Sequence, residues 1–346
     1  MLVVMERDAS AEQIAAVARR IEELGLEARV LAGRQRTAVA VVGNDASVDA
    51  ARFADLPGIR AALPVTEPYR LASREWQEER TVVPLPGGGS IGGDEVVVMA
   101  GPCAVESERQ IVEIAGRVRD AGATVLRGGA FKPRTSPYSF RGFGKDALGW
   151  LALAREETGL PVVTEVLDTD SVELVARHAD ILQIGARNMQ NFPLLQCVGR
   201  TGKPALLKRG YGATITELLL AAEYVLAEGD PNVVLCERGV RGFDAASRFV
   251  LDLTAIPLVH RLSHLPIVAD PSHGTGVRGA VTPMARAAVA AGADGLLVEV
   301  HPTPEQALSD GTQSVTPDEF TVLVRECRRI AEVVGRRVAE PAEVRT

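Results

Sequence analysis

The spacing of apolar residues changes at about residue 95 of this 346-residue chain. From Glu95 onward, eight short runs are apolar almost throughout: Val96–Ala100, Thr124–Arg127, Pro161–Val166, Ile181–Ile184, Pro204–Leu207, Asn232–Cys236, Pro266–Ala269 and Gly295–Val300. Amphipathic stretches separate most of them, among them Arg109–Ala121, Ser171–His178, Thr214–Ala227 and Thr282–Ala291, and a last helix is expected over Pro317–Val334. Runs buried on both faces and alternating with helices predict a parallel sheet. Eight βα units in about 250 residues fit a closed (β/α)8 (TIM) barrel better than an open sheet. The sixth crossover, Leu251–Leu262, is the least regular because Pro257 interrupts it.

The first 66 residues have a different rhythm. Leu2–Met5 is a short apolar run, and Ile14, Val17, Ile21 and Leu24 form a helical stripe ending before Gly25. Glu27–Leu31 and Thr37–Val42 are strand-like, Ala46–Ala54 is a second helix, and Ile59–Val65 is a last strand. The order βαββαβ predicts a small ferredoxin-like domain over residues 1–66. Residues 67–93 are expected to be a linker or hairpin, with the barrel over 94–346. The turn-rich stretch Pro84–Gly93 lacks the Lys-Ser/Thr of a phosphate-binding P-loop.

Composition narrows the function. Hydrophobic residues make up 46% and charged residues 24%, which excludes disorder over the whole length. A net charge of −7 and an aromatic content of 4% argue against a nucleic-acid binder. No apolar window is long enough for a membrane span, and the N-terminus does not read as a signal peptide. Cys103, Cys197, Cys236 and Cys327 are widely spaced, which suits the cytoplasm rather than a disulfide framework.

In barrels of this kind the active site forms where the strands end. Polar residues follow all eight runs. One subset is cationic: Arg127, Lys132, Arg134, Arg187, Lys208, Arg209 and Arg238. Such a concentration of positive charge predicts anionic ligands, because guanidinium forks suit phosphate and carboxylate. A second subset is Cys103, His273 and Glu299, from neighbouring strands one, seven and eight, with Asp310 in the loop after strand eight. A thiolate, an imidazole and carboxylates suit one divalent transition metal ion, Mn2+, Fe2+, Co2+ or Zn2+, better than Mg2+. His301 shares the strand face of Glu299, whereas His178, His260 and His264 read as structural, and Cys197, Cys236 and Cys327 as packing. Gly274, Gly276 and Gly279 match a dinucleotide fingerprint, but six βα units precede them, so a nicotinamide site is not expected.

The motifs Gly101-Pro-Cys-Ala-Val-Glu-Ser107, Lys132-Pro-Arg-Thr-Ser136, Ile184-Gly-Ala-Arg-Asn188, Leu207-Lys-Arg-Gly210, Cys236-Glu-Arg-Gly239, Asp270-Pro-Ser-His273 and Glu299-Val-His-Pro302 resemble the 3-deoxy-D-arabino-heptulosonate-7-phosphate (DAHP) synthase family. The subgroup resembled, type I β, carries an N-terminal ferredoxin-like regulatory domain. The sibling 3-deoxy-D-manno-octulosonate 8-phosphate synthases have a Lys-Ala-Asn-Arg-Ser type segment where this chain has Lys132-Pro133-Arg134-Thr135.

The resemblance implies condensation of phosphoenolpyruvate with D-erythrose 4-phosphate, the first step of the shikimate pathway. The alternative is the octulosonate reaction on arabinose 5-phosphate. By resemblance, Arg127, Lys132, Arg187, Lys208, Arg238 and the Ala186 amide hold phosphoenolpyruvate. Lys132-Pro133-Arg134-Thr135 is the segment for erythrose 4-phosphate, and Cys103, His273, Glu299 and Asp310 bind the metal. Lys132 is expected to donate a proton, Glu165 to manage the attacking water, and His273 to belong to the catalytic set. Feedback inhibition by tyrosine or phenylalanine and a homotetramer are further expectations.

Overall fold

The computed structural model describes residues 1–33, 36–43, 48–63, 68–133, 136, 138–244 and 246–342. The chain divides into two compact units, Met1–Arg70 and Leu71–Thr346.

In the first unit, the elements β1 (Leu2–Met5), α1 (Ala11–Glu23), β2 (Glu27–Ala32), β3 (Thr37–Val42) and β4 (Ile59–Leu63) follow in order, and the four strands form an antiparallel sheet in the order β2-β3-β1-β4. Ser10 and Gln13 close a reciprocal capping box that starts α1. The stripe seen in the sequence then places Val17 and Ile21 in a core with Val3, Met5, Val39, Val41 and Phe53. The second helix is shorter than expected: a single 3-10 turn covers Ala50–Phe53. Asp49 caps it by accepting from the Ala51 N–H, and residues 44–47 lie outside the described residues.

In the second unit, β5 (Val83–Pro84) and β6 (Ser90–Ile91) form a hairpin. Eight parallel strands follow: β7 (Glu95–Gly101), β8 (Val125–Arg127), β9 (Val162–Val166), β10 (Ile181–Ile184), β11 (Ala205–Lys208), β12 (Val233–Glu237), β13 (Ile267–Ala269) and β14 (Gly295–Glu299). Each pairs with the next, and β14 pairs with β7, which closes the barrel. Outside it run α2 (Glu108–Ala121), α3 (Lys145–Thr158), α4 (Val172–His178), α5 (Phe192–Gly199), α6 (Ile215–Leu226), α7 (Ala255–Leu262), α8 (Pro271–Thr275), α9 (Arg278–Ala290) and α10 (Pro317–Val333). A short β15 (Arg337–Val338) adds to β7. Pro257 is the third residue of α7, where its missing N–H leaves no helical bond unmade, so the sixth crossover is helical after all.

The barrel interior is filled by Val97, Met99, Val125, Val163, Ile181, Leu206, Val234, Cys236, Val268 and Leu297. Val83, Leu85 and Ile91 of the hairpin join this core. Nearby, fully buried Asp294 accepts from His260 Nε2 (2.9 Å), the Ile267 N–H (2.9 Å), Arg80 and Arg336 Nη2 (3.4 Å). His264 is equally structural, bridging Thr81 Oγ1 (2.7 Å) and the Leu71 carbonyl (2.6 Å). His178 contacts the Leu174 carbonyl within its own helix. Among the described residues, no helix is long and apolar enough to cross a membrane.

Two glycines of the fingerprint-like segment, Gly274 and Gly276, have local structural roles. Gly276 ends α8 in the left-handed region, and a Cβ at Gly274 would press into Leu251.

Candidate active site

Strand alternation carries the interior face of the barrel straight into the site. Two residues beyond the core positions Val125, Val163, Leu206, Cys236, Val268 and Leu297 stand Arg127, Glu165, Lys208, Arg238, Asp270 and Glu299. All six are buried. The out-of-phase neighbours go elsewhere: Arg209 pairs with Glu237 (2.8 Å) and Asp252 (2.9 Å) and donates to the Ala213 carbonyl. Arg209 is thereby removed from the cationic set that the sequence suggested.

Ligand atoms of Cys103, His273, Glu299 and Asp310 all lie within 4.8 Å of one another. Donors about 2.0–2.3 Å from one ion stand at most about 4.6 Å apart, so small side-chain adjustments bring all four onto a single ion. The orientation of the imidazole also fits. His273 Nδ1 donates to Asp270 Oδ2 at 2.7 Å, while Nε2 lies 3.3 Å from Glu299 Oε1. A carboxylate behind Nδ1 leaves the Nε2 lone pair facing the group. Burial lowers the His273 pKa despite the nearby carboxylates, the direction that favours a ligating ring. Asp310 is the one described non-glycine residue with positive φ (51°).

Burial, followed by the Glu299 charge, pushes the Cys103 thiol up to about 12. Lys132 Nζ donates to Cys103 Sγ (2.9 Å) and to the Cys103 carbonyl (3.1 Å). Burial opposes the Lys132 charge, but Cys103 and Glu299 outweigh it and hold its pKa above the usual value. Glu299 is pinned from three sides: Arg127 Nη1 donates to Oε1 (2.9 Å), Gln313 Nε2 to Oε2 (2.6 Å), and its own N–H donates to Ser272 Oγ (3.0 Å). Although burial opposes ionisation, the charges of His273 and Arg127 lower its pKa.

Above this group opens a cavity of about 250 Å³. Lys132, Arg187, Lys208, Arg238 and Arg248 bring positive charge to it, while Glu165, His273 and Asp310 bring acid-base and ligand groups. Pro133 and Ala186 also line it, whereas Arg134 and Thr135 lie outside the described residues. Arg127 sits deeper and donates to the Pro102 carbonyl as well as to Glu299, yet its Nε is buried without a hydrogen-bond partner. Glu165 Oε2 accepts from Gln183 at 3.2 Å. A Cβ on Gly185 would overlap Glu165 Oε1, so only glycine leaves room for that carboxylate.

Several residues of the site carried no sequence signal. Asp270 precedes His273 by one helical turn, and only their contact shows its role. Arg248 reaches Asp310 Oδ1 (3.3 Å) from the long loop after β12, and Tyr211 and Phe249 stack with ring centres 5.1 Å apart. His301 lies near Glu106, with Nε2 3.4 Å from Oε2, and accepts from the Thr303 N–H rather than joining the four-residue group.

Comparison with known proteins follows the same division of the chain. Residues 75–333 match the family described as DAHP synthetase I, and residues 1–67 match the DAHP synthase ferredoxin-like domain. A phospho-2-dehydro-3-deoxyheptonate aldolase of Thermotoga maritima is 46% identical over 338 residues, covering 98% of this chain and all of that protein. A 2-dehydro-3-deoxyphosphooctonate aldolase of Nitrobacter hamburgensis is 34% identical, covering 76% of this chain and 97% of that protein. The crystal structure of the Thermotoga maritima DAHP synthase superposes with a TM-score of 0.79 at 45% identity, covering 98% of this chain and 99% of that one. A truncated form of that enzyme superposes with a TM-score of 0.73 at 46% identity, covering 78% of this chain and 98% of that one.

Proposed function

Since the chain belongs to the DAHP synthetase I family, we propose that it condenses phosphoenolpyruvate with D-erythrose 4-phosphate and water, releasing DAHP and inorganic phosphate. The observation that carries this reading is the cavity itself: five cations converge on it, directly above a Cys-His-Glu-Asp ligand group. Two phosphorylated substrates account for such a concentration of positive charge.

In the reaction, C3 of phosphoenolpyruvate forms a bond to the aldehyde carbon, the aldehyde oxygen becomes an alkoxide, and C2 gains positive character. Water adds at C2 and gives up one proton; the C2–O bond to phosphate then breaks, the new hydroxyl becomes the C2 ketone, and its proton goes to the departing phosphate, which keeps the bridging oxygen. Arg187, Lys208 and Arg238, with the Ala186 amide, are suited to the phosphate and carboxylate of phosphoenolpyruvate. The unsatisfied Arg127 Nε offers a further donor. Lys132, buried and cationic, is placed to give the alkoxide its proton. Glu165, held by Gln183, is placed to receive a proton from the attacking water. Arg134 and Thr135 are assigned to erythrose 4-phosphate by family resemblance. Cys103, His273, Glu299 and Asp310 would hold one divalent ion of the Mn2+, Fe2+, Co2+ or Zn2+ kind, whose chemistry is Lewis-acid polarisation of the aldehyde.

Residues 1–67 are assigned to feedback control by tyrosine or phenylalanine, in a homotetramer working in the cytoplasm. Of these, only a role for residues 1–67 as a domain of their own draws support from their match to the family's ferredoxin-like domain.

The octulosonate reaction is the second reading, favoured by the 34% relatives. Absorbance of phosphoenolpyruvate, followed with erythrose 4-phosphate and with arabinose 5-phosphate, separates the two. Loss only with erythrose 4-phosphate is expected, and loss only with arabinose 5-phosphate overturns the proposal. Lys132→Met should abolish turnover while metal content stays unchanged, and near-normal turnover removes its acid role.

A further inference from the structure

The buried cations in and beside the site are held in two different ways. Arg127 pairs with Glu299, Lys208 with Asp270, and Arg209 with Glu237 and Asp252, all between 2.7 and 2.9 Å. Arg238 is just as buried, yet among the described residues it pairs with no carboxylate; its Nη1 donates to the adjacent Gly239 carbonyl at 3.3 Å. Two aromatic rings stand where the counter-charge would be. The Arg238 guanidinium carbon lies 4.8 Å from the Tyr211 ring centre and 4.2 Å from that of Phe249. These rings are within 12° of parallel. Three more guanidinium groups reach the same pair: Arg187 (5.6 Å) and Arg241 (6.0 Å) at Tyr211, and Arg248 (5.4 Å) at Phe249.

Ring faces attract cations but accept no strong hydrogen bond. A guanidinium held by a carboxylate shares its N–H donors with that partner, whereas one held on rings is fixed in place with most of its donors still available. We propose that Tyr211 and Phe249 are positioning residues, an uncharged platform that orients the Arg238 guanidinium to grip a phosphoryl group. That the phosphoryl group belongs to phosphoenolpyruvate rests on the function proposed above. That the platform creates an anion site does not.

Phe249→Leu, Phe249→Tyr and Tyr211→Leu separate these roles. Inorganic phosphate and phosphoenolpyruvate would each be titrated calorimetrically into the metal-loaded enzyme, and the kinetic constants for phosphoenolpyruvate measured alongside. Thermal unfolding would confirm that each variant is folded. Phe249→Leu is expected to weaken binding of both ligands by about tenfold and to raise KM similarly, with kcat within about threefold, the range that a desolvated cation–ring contact allows. Phe249→Tyr, which keeps the ring, should bind like the wild type. Tyr211→Leu should show the same loss as Phe249→Leu and serves in its place if that variant does not fold. Unchanged phosphate binding in a folded leucine variant overturns the proposal. So does a fall in kcat with KM unchanged, or a tyrosine variant as impaired as leucine. A wild-type enzyme that binds phosphate but does not consume phosphoenolpyruvate with erythrose 4-phosphate would remove the proposed reaction and leave the platform standing.

Discussion

Asp270 joins the metal-ligand group to the anion site through a single oxygen: Oδ2 accepts from His273 Nδ1 and from Lys208 Nζ, each at 2.7 Å. The carboxylate is fully buried. Burial opposes its charge, but His273 and then Lys208 outweigh that and hold its pKa well below the usual value. Asp270→Ala is expected to weaken binding of a divalent ion by about 10–100-fold, the usual effect of losing a carboxylate behind a ligating histidine. Titration of Mn2+ or Zn2+ against a chromophoric chelator reads this directly. Unchanged affinity in a folded variant would mean that Asp270 does not orient His273.

Gly185→Ala should act on Glu165 alone. Gly185 has an ordinary extended backbone, so the added methyl costs nothing in φ, but it collides with Glu165 Oε1. The carboxylate must swing away from Gln183. We expect kcat to fall by about 10²–10³, the range for a displaced acid-base group, with the thermal midpoint little changed. A variant with wild-type kcat would exclude Glu165 from the proton transfers.

The eight-strand barrel was legible because strands buried on both faces leave uninterrupted apolar runs, and because period-two alternation marks which strand-end residues face inward. The sequence alone therefore places Cys103, His273 and Glu299 at adjacent strand ends. Other features left no such trace. Arg209 follows Lys208 directly, and its partners Glu237 and Asp252, 28 and 43 residues away, could not be read from the sequence. Tyr211 and Phe249 lie in loops, where no periodicity points to a partner 38 residues away. Among the described residues of the helix expected over Ala46–Ala54, one 3-10 turn, Ala50–Phe53, is formed, because short apolar stretches say little about length.

Asp294 predicts how stability depends on pH. Burial opposes its ionisation, but the hydrogen bond from His260 and the charges of Arg80 and His260 lower its pKa below the ordinary value. A carboxyl with a depressed folded-state pKa stabilises the fold above its unfolded value of about 3.9 and loses that contribution as pH falls through the folded value. Asp294→Asn should therefore cost about 3 kcal/mol at pH 7, the scale for breaking a buried charge cluster. The difference from wild type should narrow below about pH 4. Urea midpoints measured across pH test this; equal midpoints at pH 7 would contradict it.

Removal of residues 1–70 tests the regulatory assignment. The unit Leu71–Thr346 contains the whole barrel, and the structure of a truncated relative from Thermotoga maritima has been solved. The truncated chain should keep its condensation rate and lose inhibition by tyrosine or phenylalanine. Inhibition equal to that of the full chain would place the effector site elsewhere.

The central claim is a metal-dependent condensation at the Cys103-His273-Glu299-Asp310 end of the barrel. Its most direct test is phosphate release from phosphoenolpyruvate and erythrose 4-phosphate, measured before EDTA treatment, after it, and after Mn2+ is restored. The account predicts that release stops on chelation and returns with the ion, while Cys103→Ala recovers little at the same Mn2+ concentration. Full-rate release by the metal-stripped wild type would contradict it.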